Sequence, residues 1–95
     1  MKRIWIPRAG EPGVRELREA ADPLPAAGEV RIRVAAAGVN FADIVARMGL
    51  YPGLPPMPVV GGYEAAGRVD AVGGGVESDW LGREVLALTR FGSYS

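Results

Sequence analysis

Five side chains in the middle of this sequence have the chemistry of a polar binding site: Asn40, Asp43, Tyr51, Tyr63 and Glu64. A primary amide donates and accepts hydrogen bonds at once, so Asn40 is suited to orient a carboxamide or a carbonyl. A phenol with its ordinary pKa of about 10 acts as a neutral donor, which is the chemistry available to Tyr51 and Tyr63. Asp43 and Glu64 make a carboxylate pair, but no histidine or lysine stands near them in sequence, and a structural role is preferred to general acid or base work. The chain contains neither histidine nor cysteine. That removes the commonest general base, the thiolate nucleophile, disulfides and the usual nitrogen and sulfur ligands of zinc. Two carboxylates alone do not complete a tetrahedral metal site, so no metal is expected.

Strands and one helix must carry these residues. Lys2 to Ile6 alternates loosely and stops at Pro7, and the turn residues Gly10, Pro12 and Gly13 precede a second run from Val14 to Glu19, which together predict a hairpin. Glu29-Val30-Arg31-Ile32-Arg33-Val34 alternates with period two and predicts a half-buried strand. From Asn40 the period changes. Phe41, Ile44, Val45 and Met48 recur at i, i+3, i+4 and i+7, which sets them on one face of a helix. Asn40 is placed as its N-cap, Asp43 lies in the first turn, and Gly49 can close it. Arg47, four residues after Asp43, is expected on a solvated face or paired with that carboxylate. Leu50 to Pro58 carries four prolines and one glycine, too many for a regular element. Arg68 to Val72 and Glu84 to Thr89 read as further strands, with Gly73-Gly74-Gly75 as a turn between them. Arg90 to Ser95 reads as the start of a turn. No G-x-G-x-x-G follows a strand and opens a helix, so the triple glycine is not a dinucleotide loop. The fold expected is mainly β with a short helix, arranged as a partly open barrel.

Three runs make a family resemblance specific: Gly38-Val39-Asn40-Phe41-Ala42-Asp43-Ile44, then Gly49-Leu50-Tyr51-Pro52, then Gly62-Tyr63-Glu64-Ala65-Ala66-Gly67. The last has the spacing of the G-H-E-x-x-G signature of zinc-dependent alcohol dehydrogenases, with tyrosine where the signature has its metal-binding histidine. Together the runs resemble the N-terminal GroES-like domain of medium-chain dehydrogenases/reductases. They are most similar to its zinc-independent quinone oxidoreductase branch, including ζ-crystallin-like and synaptic-vesicle-membrane-protein-like members. The enoyl reductase domains of polyketide and fatty acid synthases share the Gly-x-Asn-Phe-x-Asp run. Gly61 departs from the pattern, since many relatives have proline there.

The resemblance implies a GroES-like substrate-side domain over residues 1–95, incomplete at its C-terminus, and a Rossmann cofactor domain outside this chain. It implies NADPH as cofactor, no zinc, and a quinone or enone as substrate. Asn40, Tyr51 and Tyr63 would then border the substrate, with Asn40 also reaching the nicotinamide end of the cofactor, and Asp43 and Glu64 would hold helix and loop around the cleft. Asn40 thus has two open readings, helix cap and cleft amide. Whether the 95 residues act as an enzyme alone stays open, and two alternatives stand beside the reductase portion: a binding or assembly module without catalytic activity, and the enoyl reductase portion of a larger synthase.

Composition limits the partners. Ninety-five residues with zero formal net charge and 23% charged side chains form one small domain with no basic surplus for nucleic acid. Such a domain buries only roughly 60 to 70% of the surface its unfolded chain exposes. No apolar run reaches the roughly 18 residues of a membrane span, and the N-terminus meets Pro7, Arg8 and Glu11 too early for a signal peptide. A soluble, cytoplasmic protein is expected. An incomplete barrel would also leave a sheet edge exposed, and with it a tendency to self-associate.

Overall fold

The computed structural model describes residues 1–53 and 55–94; Leu54, inside the proline-rich loop, and Ser95 lie outside them. Strand β1, Lys2–Ile6, pairs antiparallel with β2, Glu16–Glu19, from Lys2 opposite Glu19 to Trp5 opposite Glu16. The hairpin is as predicted but β2 is shorter, because Pro12–Val14 winds into a single 3-10 turn before the ladder begins. Proline offers no N–H to a ladder, so pairing starts only beyond it. On its other edge β1 meets β4, Val59–Val60, which gives the sheet order β2-β1-β4.

A second antiparallel sheet has the order β3-β5-β6, built from Val30–Ala37, Glu64–Val72 and Glu84–Leu88. β3 and β5 both run further than their alternation predicts, through the small residues Ala35 to Ala37 and Glu64 to Gly67. Two register shifts interrupt their pairing, between Arg31 and Ile32 and between Val34 and Ala36. Each is a place where one strand holds an extra residue, Asp70 on β5 and Ala35 on β3, and such bulges bend and twist a sheet. The Asp70 carboxylate meets Arg31 Nε at 2.7 Å across the first of them. The described residues form no closed barrel, and the expectation of a mainly β domain with one short helix and an open arrangement holds.

Helix α1, Phe41–Arg47, follows β3. Its apolar residues share a face as the period requires, but that face is the outer one. Phe41 is 78% exposed, with Ile44 and Met48 also exposed, while Ala46 on the opposite side is buried. Periodicity identifies an apolar stripe and cannot say what covers it. Arg47 also differs from expectation, since its Nε donates to the Gly10 carbonyl at 3.0 Å and its own carbonyl accepts from Gly10 N at 3.0 Å. Those two bonds tie the helix end to the β1–β2 connection.

The last described residues correct the sequence reading most. In place of an unattached turn, Gly92, Ser93 and Tyr94 donate their N–H groups to the carbonyls of Val60, Gly62 and Gly61, and Tyr94 accepts from Ile4 N at 3.0 Å. Residues 92–94 thereby join β1 to the segment between β4 and β5. The core beneath is made of Ile6, Val59, Val60, Ala65 and Val69 with Ala46 from the helix.

Candidate functional site

The site assembles where the end of β3, the start of α1 and the β4–β5 connection meet. Asn40 precedes α1 with an extended backbone, φ −117° and ψ 161°, as an N-cap residue does. The cap itself is made from the other partner: Asp43 Oδ2 accepts from Asn40 N at 2.7 Å. The Asn40 side chain faces the Asp43 N–H in the capping-box arrangement, and the Asn40 carbonyl accepts from that N–H at 3.0 Å. Charge assistance makes the Asp43 bond the stronger half of the box. Of the two readings of Asn40, the structure therefore keeps the capping position.

Tyr51 and Tyr63, twelve residues apart in sequence, come together as a ring pair. Their centroids are 5.1 Å apart with the planes tilted by 42°. Such tilted pairs contribute beyond the area they bury. Tyr51 is 39% exposed and forms the outer ring, while the Tyr63 hydroxyl is buried without a hydrogen-bond partner. Burial pushes the Tyr63 phenol above its ordinary value, and the charges of Tyr51 and Asp43 add to that. Tyr63 thus stays a neutral donor whose oxygen faces inward, and Tyr51 is the phenol that solvent can reach.

Beneath these residues lies a group that sequence reasoning missed. The Tyr94 hydroxyl donates to the Gly38 carbonyl at 3.3 Å. Burial first, then the Asp43 carboxylate, pushes its pKa up to about 12, with Glu64 adding and Arg15 opposing. Tyr94 has one proton for two acceptors within reach, and hydrogen-bond geometry is met at Gly38, so Asp43 Oδ1 remains buried without a donor. The Glu64 side chain occupies the space that a Cβ at Gly38 would need. Asp43 and Glu64, predicted to hold helix and loop, are thus both set around the Gly38–Asn40 turn. No sequence signal marks Tyr94; its aromatic type three residues after Phe91 suggests nothing beyond packing.

The glycine that opens the Gly62–Gly67 signature has a physical reason here. Gly62 has φ +97°, and a Cβ there would overlap Ser93 Oγ and stand 2.9 and 3.0 Å from Tyr94 Cδ1 and Cγ. Only glycine both adopts that backbone and lets the Tyr94 ring lie against it.

Two cavities, of about 570 and 680 Å³, lie away from this cluster. One is lined by residues including Lys2, Arg31, Ala65 and Ser93, and the other lies over Val34, Gly67 and Leu86. Next to the cluster in sequence, Val39, Phe41, Leu50 and Tyr51 are all exposed. Among the described residues no three His, Cys, Asp or Glu side chains group as metal ligands do. An amide at Asn40 and an inward phenol at Tyr63 are not donors that fit catalytic zinc.

A family model described as the alcohol dehydrogenase GroES-like domain matches residues 26–94. The chain belongs to this GroES-like family. The match takes in the whole polar cluster, from Gly38 to Tyr94. Among relatives of this GroES-like domain, the human synaptic vesicle membrane protein VAT-1 homolog is 49% identical over 77 residues, 81% of this chain. A phenolphthiocerol/phthiocerol polyketide synthase of Mycobacterium tuberculosis is 38% identical over 87 residues, 90% of this chain. The crystal structure of Escherichia coli quinone oxidoreductase complexed with NADPH superposes with a TM-score of 0.92 at 38% identity, covering 100% of this chain. The GroES-like chain spans 20%, 4% and 29% of those three proteins, so it corresponds to a minor part of each. Together they set it among the medium-chain dehydrogenases/reductases, beside the quinone oxidoreductases. No helix among the described residues is long and apolar enough to cross a membrane.

Proposed function

We propose that this domain forms the substrate-facing wall of a zinc-independent, NADPH-dependent reductase of quinones or enones, working in the cytoplasm. The observation that carries the reading is the Tyr51–Tyr63 ring pair, whose inner phenol lies in the field of the same Asp43 carboxylate that fixes the Asn40 backbone. Flat conjugated carbonyl compounds suit such a wall. The Tyr51 ring offers a face for stacking and its hydroxyl a donor to a carbonyl oxygen. The Asn40 amide can orient either a carbonyl or the carboxamide of the cofactor, and that side chain is this domain's contribution to NADPH. NADPH, when bound, supplies the hydride. The residues of this chain align and polarise the acceptor, and Tyr63 backs the ring of Tyr51.

The quinone oxidoreductase of Escherichia coli holds NADPH in its crystal structure, which supports the cofactor and the substrate class. The test is NADPH oxidation by the natural-length protein with a panel of ortho- and para-quinones and α,β-unsaturated ketones, before and after chelator treatment. Turnover that survives chelation is expected, and Asn40→Ala should lower kcat/KM by about tenfold or more through lost orientation. No turnover with either class, or turnover abolished by chelation, refutes the proposal.

The polyketide synthase relative favours a second reading, the enoyl reductase portion of a synthase. Preference for carrier-bound enoyl thioesters over free quinones would select it. Self-association belongs to the same proposal, supported by the β6 edge with its exposed Leu86 and Leu88. Light scattering that shows a monomer at all concentrations removes that part.

A further inference from the structure

We infer that Tyr94 is a positioning residue for Asn40, holding the Gly38–Asn40 turn against the Gly61–Gly62 backbone and so setting where the Asn40 amide points; its effect on turnover rests on the reductase reading above. Asn40 is held from the helix side through Asp43, its N–H donating to Asp43 Oδ2 at 2.7 Å and its carbonyl accepting from Asp43 N at 3.0 Å. From the sheet side the turn is held two residues earlier, where the Gly38 carbonyl accepts the Tyr94 hydroxyl at 3.3 Å. Gly38 has no side chain, and Val39 is 79% exposed, so neither packs the turn in place by itself.

Tyr94 can serve as this anchor because it is itself fixed at three points. Its N–H donates to the Gly61 carbonyl at 3.1 Å, its carbonyl accepts from Ile4 N at 3.0 Å, and its ring lies on Gly62. A ring whose backbone is bonded on both sides carries its hydroxyl to the turn with little freedom to lose. Asp43 lies beside the same hydroxyl, so the two supports of Asn40 meet at one point. Phenylalanine would fill the same space and leave the Gly38 carbonyl without its donor.

The experiment is Tyr94→Phe in the natural-length protein, with amide hydrogen exchange and quinone kinetics as independent readouts. Exchange of the Asn40 N–H is expected to quicken about tenfold while that of the Met48 N–H, bonded to Ile44 at the far end of α1, stays within twofold. The quinone kcat/KM should fall about tenfold in the wild-type background. In the Asn40→Ala background the same change should have no further effect, because Tyr94 acts through Asn40. Unchanged Asn40 exchange, an equal rise at Asn40 and Met48, or losses that multiply in the double variant would overturn the inference. If no quinone or enone is turned over, the reductase reading fails by itself, and the exchange comparison still decides whether Tyr94 positions Asn40.

Discussion

Replacing Gly62 by alanine is expected to be among the most damaging single-methyl additions to this chain. The backbone there has φ +97°, and the new Cβ would overlap Ser93 Oγ and press on Tyr94 at 2.9 to 3.0 Å. The conformation alone costs a non-glycine residue about 1 to 2 kcal/mol. Overpacking against a ring fixed by backbone bonds adds about 1 to 3 kcal/mol. The sum, about 2 to 5 kcal/mol, is a large part of the roughly 5 to 14 kcal/mol that holds a domain of this size. Two sister variants separate the contributions. Gly75 has φ +77° with open space around it, so Gly75→Ala carries the conformational cost only. Gly74 has neither constraint, and Gly74→Ala should be neutral or stabilise by up to about 1 kcal/mol. Urea unfolding of the three variants gives the ladder directly. Adding Ser93→Ala to Gly62→Ala should recover part of the loss, since Ser93 Oγ is buried without a partner and blocks the new methyl. A Gly62→Ala variant within 0.5 kcal/mol of Gly75→Ala, a margin about that of independent additivity, would refute the steric part of this reasoning.

Asp43→Ala removes the charge-assisted bond to Asn40 N and should cost about 1 to 2 kcal/mol by chemical denaturation, with Asp43→Asn intermediate. Arg47→Ala loses the Nε bond to the Gly10 carbonyl, for about 1 kcal/mol. No ion pair joins Arg47 to Asp43 among the described residues, so those two losses should add within about 0.5 kcal/mol in a double-mutant cycle. Alkaline pH tests Tyr94. Its phenol titrates at about 12 when folded against 10.0 ordinarily, so the folded state holds that proton longer. The stabilisation is complete below pH 10 and is lost as pH rises through 12. The gap corresponds to at most about 2.7 kcal/mol, and solvent screening of a partly exposed ring brings the expectation near about 1 kcal/mol. Unfolding midpoints at pH 9, 10 and 11 should decline, and Tyr94→Phe should decline less steeply.

Much of the frame is legible in the residues themselves. Alternation marks β1, β3 and the second half of β5, a run of aliphatics marks β6, and the change of period at Asn40 marks α1, because side-chain direction follows backbone geometry locally. The reach of β5 back to Glu64 is less visible, since Ala65, Ala66 and Gly67 have little strand preference and are placed by their partners on β3 and β6. The same limit governs the helix. Its apolar stripe is plain, yet Ala46 is what it buries, and burial depends on which neighbour arrives. In the site, residue types indicate Asn40, Tyr51 and Tyr63, whereas the contact between the two tyrosine rings needs the loop between them to fold back. Tyr94 is beyond reach for the same reason. Its partners are 56 residues away at Gly38 and 90 away at Ile4, and no local pattern encodes such distances.

The bond between Ile4 N and the Tyr94 carbonyl also bears on how the chain is made. A ribosome adding about 5 to 20 residues per second needs about 5 to 20 s to go from the first of these residues to the second. Within that interval the nascent β1 gains first its hairpin partner β2, then β4, and only at the end the segment that fastens it. Until then its backbone is open to any extended chain nearby, and polysomes would bring sister copies close enough to compete. The protection of β1 is thus timed by translation, and slow codons placed between Leu88 and Tyr94 would lengthen the exposure where fast ones would shorten it.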